Sequence, residues 1–260
     1  MRITRVLSTL WAVLLITGCG GGSGGSAGSN GGNSVQNASP GGIWSGTESV
    51  SGLQIIGIVD EAGELHFIRA DGAQYIGTAT TSGNSVSASV QGIVPLGDTF
   101  PDGSTSGSGT VSGTIQQRAS ISLNTSFTTS AGSVSTGTLD LTFSSLYNVA
   151  SSLATVAGNY TDAETGTVVS VNSDGSVFAQ DATTGCVFNG TVSIINSSYN
   201  AYRVQGMYAN CTGINSALNG VSLSGLATYN NSVNPAQIIA GVNGMGNGAD
   251  YAVVYVLNHS

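Results

Sequence analysis

The sequence predicts an all-β protein: two tandem, roughly eight-stranded, antiparallel up-and-down barrels that follow a leader and a Gly/Ser tether. Three observations lead there. First, charged residues make up only 7% of the 260 residues, with no lysine and few glutamates, so long helices would lack their usual wet face. Second, beyond residue 41 no stretch holds a helical period over about twelve residues. Apolar and polar side chains alternate instead, with turn signals every eight to twelve residues. Third, the chain repeats itself. Gly72-Ala73-Gln74-Tyr75-Ile76-Gly77-Thr78 matches Gly185-Cys186-Val187-Phe188-Asn189-Gly190-Thr191, and Gly42-Ile43-Trp44 answers Gly158-Asn159-Tyr160. Similar turns lie between, Asp60-Glu61-Ala62-Gly63 and Ser173-Asp174-Gly175.

The first copy, 41–148, divides into strands at 42–48, 52–60, 64–70, 73–81, 84–93, 107–117, 119–129 and 134–144. The second, 155–260, divides at 156–162, 166–172, 176–181, 186–196, 200–210, 219–230, 236–244 and 249–257. Asp71-Gly72 and Asp174-Gly175 suit tight hairpins, because both residue types reach positive φ cheaply. Successive hairpins favour up-and-down connection. Closing eight strands into a barrel removes the edges that would otherwise pair with other chains. The strand glycines suit tight coiling.

Ahead of the barrels lies MRITRVLSTLWAVLLITGC. Arg2 and Arg5 precede an apolar stretch, Val6 to Ile16, that is too short to span a bilayer of about 30 Å. Ile16-Thr17-Gly18-Cys19 resembles the bacterial lipobox. That resemblance implies a lipoprotein signal peptide at 1–18, cleavage after Gly18 and acylation of Cys19, with membrane lipid as the partner of the anchor. Gly20, where inner-membrane retention usually places Asp, favours the outer membrane by the same resemblance. Residues 19–40 read as a flexible Gly/Ser linker spanning about 25 Å.

Cys186 and Cys211 are the remaining cysteines. Export to an oxidising compartment predicts a disulfide between them. A turn near Ser197-Ser198-Tyr199 would put the two directly opposite each other. An unstrained bond closing this loop stabilises by about 3.5 kcal/mol in the chain-entropy model.

Catalytic patterns are weak. His66 lies in the alternating run Glu64-Leu65-His66-Phe67-Ile68-Arg69 and reads as a partly exposed strand residue; His259 is next to last. No Gly-x-Ser-x-Gly elbow in a strand-to-helix context is present, and Ser106-Gly107-Ser108-Gly109 reads as a loop. Asp60, Glu61, Asp71, Asp162, Glu164, Asp174 and Asp181 nearly all fall at hairpin turns, where Asp bonds its own backbone. Asp162-Ala163-Glu164-Thr165-Gly166 lacks the later ligands of a calcium loop, and Gly241 to Gly248 reads as a floppy hairpin loop rather than a phosphate cradle. No metal or cofactor is expected. Removal of the leader leaves three arginines against thirteen carboxylates, which excludes nucleic acid as a partner.

Aromatic residues carry the remaining signal. Tyr202 and Tyr208 share one strand face and Tyr251 and Tyr255 another; with Trp44, Tyr75, Tyr160 and Phe188 they are candidates to line a ligand cup or to fill barrel cores. Gly42-Ile43-Trp44, Gly158-Asn159-Tyr160 and the strand count resemble lipocalin-type barrels, though neither copy has the Arg that lipocalins carry on the last strand. The layout also resembles uncharacterised proteobacterial outer-membrane lipoproteins and the barrel lobes of transferrin-binding surface lipoproteins. These resemblances imply a non-catalytic envelope lipoprotein that binds a small apolar ligand or a protein partner. The alternatives are a surface-interaction protein with side-chain-filled barrels and, third, a hydrolase. Room in a lumen favours the first; a packed lumen removes it.

Overall fold

A computed structural model describes residues 36–260; the leader, Cys19 and the tether up to residue 35 lie outside the described residues. The chain forms two closed antiparallel barrels. The first runs β1 (Gly42–Glu48), β2 (Gln54–Val59), β3 (Glu64–Arg69), β4 (Gln74–Ser82), β5 (Ser85–Ile93), β6 (Ser106–Gln116), β7 (Ser120–Thr129) and β8 (Val134–Ser144). A 3-10 turn (Ser145–Asn148) and a four-residue helix, α1 (Leu153–Val156), lead into the second. It runs β9 (Gly158–Asp162), β10 (Val168–Val171), β11 (Ser176–Gln180), β12 (Val187–Ile194), β13 (Tyr202–Ala209), β14 (Ser222–Asn230), β15 (Gln237–Gly246) and β16 (Ala249–His259). In each barrel every strand pairs with the next and the last pairs with the first.

The repeat seen in the sequence is a repeat of geometry. Trp44 on β1 and Tyr160 on β9 are both fully buried. Trp44 Nε1 donates to Pro40 O at 3.1 Å and Tyr160 Oη donates to Val156 O at 2.8 Å, each reaching four residues back along the chain. Each barrel thus plugs its floor with an aromatic ring whose polar tip ties down the incoming chain. Gly63 and Gly175 match likewise. Both have positive φ, 91° and 88°, and their carbonyls accept from Ala79 N and Val192 N, both at 2.7 Å. A side chain at either would run into the partner strand, because Ala79 O and Val192 O would lie 2.3 and 2.4 Å from the added Cβ.

The apparent loops at Ser106–Gly109 and Gly241–Gly248 are strand. The first opens β6, and the second belongs to β15 up to Gly246, with only Asn247 and Gly248 in the turn. Small polar and glycine residues are tolerated there because the ladders supply every backbone partner and neighbouring rings cover the gaps. The ring of Phe127 lies over Gly92, Gly107 and Gly109.

Side by side, the barrels share an apolar seam. Ile43, Ile56 and Ile58 project outward from β1 and β2 and are buried with Tyr147, Ala201 and Leu226, against Tyr199 and Ile239. Tyr147 and Tyr199 stack with centroids 4.9 Å apart. Gln74, fully buried, donates its amide to Val253 O at 2.8 Å and Val242 O at 3.3 Å on β16 and β15. Arg203 of β13 makes a two-pronged ion pair with Glu64 of β3 and approaches Asp60 at 3.9 Å. His66 lies on the same outward row of β3 and is buried at 4% exposure, not partly exposed as the alternation suggested. The outer face of a strand is wet only when nothing packs on it, and here the second barrel does.

Candidate functional site

Strand parity decides what each lumen contains. In the first barrel, Trp44, Phe67, Ile115, Leu123, Leu139 and Leu141 turn inward and fill the centre. The ring of Phe67 rests directly on Gly57, where even a Cβ would collide with it. Arg69 closes the upper end. Its guanidinium pairs with Asp71 and, at 3.1 Å, with Glu48; it donates to Tyr75 Oη at 2.9 Å and lies over the Tyr75 ring, 5.8 Å from its centroid. Burial pushes the Tyr75 hydroxyl up to about 12, against the pull of the Arg69 charge.

The second barrel follows the same plan with other side chains. Phe67 pairs across the ladder with Tyr75, and Ala179 pairs with Phe188. Gly57 pairs with Phe67, and Val169 with Ala179. So Ala179 stands where the first barrel has Phe67, and Val169 where it has Gly57. The exchange leaves room. A cavity of about 210 Å³ opens at the upper end, lined by Val169, Ala179, Phe188, Tyr208, Leu218 and Tyr255 among others. A further space of about 50 Å³ continues below it along Val169, Ala179, Phe188 and Tyr255 towards Tyr202 and Ile238.

Three rings meet in the cavity. Phe188 packs edge-on against Tyr208, with centroids 5.2 Å apart, and lies 6.0 Å from Tyr255. The Tyr208 and Tyr255 hydroxyls share a hydrogen bond of 2.5 Å. Burial pushes the Tyr208 hydroxyl up to about 12 and raises that of Tyr255 well above its ordinary value, so both stay protonated. One of the two donates to the other, which leaves a hydrogen on the pair able to meet an acceptor in the lumen.

The rim is acidic. Asp162 ends β9, Glu164 comes from the β9–β10 turn and Asp181 from the β11–β12 turn. Asp162 Oδ1 accepts from the backbone of Glu164 and Thr165, and Asp181 Oδ1 from Thr183 and Thr184, so these aspartates hold their own turns. Burial, with Asp162 and Asp98 nearby, raises the Glu164 carboxyl. The first barrel completes the wall with Ala70, Asp71 and Gly72 from its β3–β4 turn and Pro95 and Leu96 from its β5–β6 loop.

Of the eight aromatic candidates, then, Phe188, Tyr208 and Tyr255 line the main cavity and Tyr202 the lower one. Tyr202 also binds the linker, accepting from Ser152 N at 3.2 Å. Tyr160 and Tyr251 are buried in the core of the same barrel, and Trp44 and Tyr75 lie inside the first. Val169, Ala179 and the first-barrel turns escaped the sequence reading. The repeat contained the signal, since small residues stand in one copy where a ring stands in the other.

The disulfide joins Cys186 and Cys211 beside the mouth. The register is one residue off the sequence expectation. Phe188 pairs with Tyr208 and Val187 with Ala209, which leaves Asn210 across from Cys186. Asn210 adopts a left-handed conformation, φ 60°, and ends β13 between Ala209 and Cys211. That turn brings Cys211 back to its partner. His66, with Glu64 Oε1 at 3.7 Å, lies on the outward row of β3 and lines neither cavity. Among the described residues no group of three or more His, Cys, Asp or Glu is placed to hold a metal ion.

No protein-family model matches the chain, and neither does a curated protein. Among solved structures, a Bacteroides fragilis protein provisionally described as an outer membrane protein is similar at 14% identity, over 87% of this chain and 97% of that one. Its TM-score is 0.25, too low for the likeness to carry an argument about this chain.

Proposed function

We propose that this chain is a non-catalytic lipoprotein of the bacterial outer membrane whose second barrel binds a small, largely apolar ligand. The observation that carries this reading is the cavity of about 210 Å³ walled by Val169, Ala179, Phe188, Leu218 and Tyr255 in the upper half of that barrel. Concave, mostly apolar sites with a few convergent polar groups are where small molecules bind. The Tyr208–Tyr255 hydroxyl pair is such a group. The first barrel, its lumen filled, acts as a scaffold that packs on the second and contributes Ala70–Gly72 and Pro95–Leu96 to the mouth.

The lipid anchor rests on Ile16-Thr17-Gly18-Cys19. The outer face of the first barrel favours anchoring over spanning. On β6, β7 and β8 the exposed residues apart from Val134 are polar, Ser108, Thr110, Ser112, Asn124, Ser126, Thr136 and Thr138 among them, while Leu123 and Leu139 face in. A barrel that crosses a membrane has the reverse pattern, apolar outward. Mass spectrometry of the protein extracted from its own membrane tests all parts together. The expected result is a chain beginning at Cys19 and carrying acyl groups, with a co-purified small molecule released on denaturation. An unmodified Cys19 would remove the anchor, and an empty protein that binds no apolar probe would remove the ligand.

A further inference from the structure

The two barrels differ at their upper ends in one chemical respect. In the first, the chain supplies its own cation: Arg69 sits over the Tyr75 ring and pairs with Glu48 and Asp71. In the second, Phe188 stands at the place of Tyr75, as the common ladder position opposite Phe67 and Ala179 fixes. Two residues on from Phe67 comes Arg69, at the end of β3, and two on from Ala179 comes Asp181, just past the end of β11. Glu48 lies four residues after the floor aromatic Trp44, and Glu164 lies four after Tyr160. The ring is kept and a glutamate again lies nearby, on the exposed β9–β10 turn instead of the strand, while the cation is replaced by another carboxylate.

The remaining cations are engaged elsewhere. Among the described residues, Arg203 pairs with Glu64, and Arg118 donates to Tyr199 Oη at 2.8 Å and lies over its ring. Asp162, Glu164 and Asp181 therefore surround an apolar, ring-lined opening with no positive group of the protein among them.

We infer that the second barrel takes an organic ammonium ion with an apolar body, whose charged head occupies the position that the Arg69 guanidinium holds in the first barrel. This deepens the proposed ligand-binding reading and rests on it. The head would lie within reach of the Phe188, Tyr208 and Tyr255 rings, where cation–π attraction adds to that of the carboxylates. The body would descend along Val169 and Ala179 into the lower space. At roughly 30 Å³ for each water-sized group, the main cavity takes about seven non-hydrogen atoms.

Calorimetric titration of the full-length protein in a non-ionic detergent, near pH 7, with n-hexylammonium, 1-hexanol and hexanoate tests this. The three share one chain length and differ in head-group charge. Hexylammonium is expected to bind at least about tenfold more tightly than hexanol, with hexanoate weakest. Glu164→Gln, a substitution at an exposed turn residue, should weaken hexylammonium severalfold and leave hexanol unchanged. Ala179→Leu should weaken both, and Asp181→Arg, which restores a cation from the chain, should abolish hexylammonium binding. Equal binding of hexylammonium and hexanol, or preference for hexanoate, overturns the ammonium inference while the apolar-ligand reading stands. Hexylammonium binding that ignores both Glu164→Gln and Ala179→Leu places the cation elsewhere and also overturns it. Failure of all three probes removes both readings.

Discussion

Phe67 and Ala179 occupy the same station in the two barrels, each across the ladder from an inward-facing ring, Tyr75 in one and Phe188 in the other. Where the benzyl ring is present the lumen is full; where a methyl replaces it, a cavity opens. Phe67→Ala is therefore expected to destabilise the first barrel by about 3–5 kcal/mol, since the packed surroundings relax only in part. Ala179→Leu grows into existing space and should hold or raise stability, by up to about 2 kcal/mol. Urea unfolding of the two variants against the parent chain measures this, and a large loss from Ala179→Leu would contradict the cavity.

The floor bonds make a second prediction. Tyr160→Phe removes the donor that Val156 O accepts from in a fully buried place. It should cost about 1–3 kcal/mol through the unpaired carbonyl, with little change in volume. Trp44→Phe removes the bond to Pro40 O as well as part of the ring, and should cost more. Chemical denaturation curves with unchanged slopes would confirm that only stability has moved.

Acid should loosen the seam between barrels. Hydrogen bonding from His66 and from Arg203 lowers the Glu64 carboxyl from 4.5 to about 2, overcoming its burial. A carboxylate whose pKa falls on folding stabilises the fold fully above its unfolded value, and that contribution fades as pH drops from about 4.5 towards 2. Melting temperatures recorded from pH 6 to pH 2.5 should therefore fall more steeply for the parent than for Arg203→Gln, which has lost the partner in advance. Parallel curves would show that the pair contributes nothing.

Reduction of Cys186–Cys211 frees the β11–β12 turn from the end of β13 at the mouth. Replacing both cysteines by Ala should lower unfolding stability by about 3.5 kcal/mol, the chain-entropy value for a loop of this length. Hydrogen exchange should rise first in the 181–186 and 210–220 segments. Protection unchanged in both would mean that the turns are held by Asp181 and Asn219 alone, through their bonds to Thr184 and Cys211.

Much of the fold is legible in the residues because a barrel asks only for alternation, and alternation is local. β1, β5, β7 and β8 can be drawn from pattern alone, and the Asp-Gly turns mark where β3 and β10 reverse. What alternation misses depends on a second body. His66 and Ile68 are on the outer row of β3, and only the other barrel makes that row dry. The run Ile55-Ile56-Gly57-Ile58-Val59, apolar on both faces, was the local sign of such cover. The register at Cys186 is set by the β12–β13 turn, which reverses half a residue earlier than expected, and the left-handed Asn210 that returns Cys211 to its partner is a feature no periodicity records. The cavity was half legible. Phe188, Tyr208 and Tyr255 could be named from strand parity, but Ala179 and Val169 are visible only by comparing one copy with the other.

The incoming chain runs along the floor of the first barrel, where Ala38 N donates to Gly83 O and Ser39 Oγ to Glu61, and the stacked Tyr147 and Tyr199 lie at this same end. Turns of both barrels meet at the opposite pole, around the opening. The described chain thus enters at one pole, and the opening shared by the two barrels lies at the other. Whatever reaches the cavity therefore does so from the side remote from the chain's entry, past the turns of both barrels rather than past the floor.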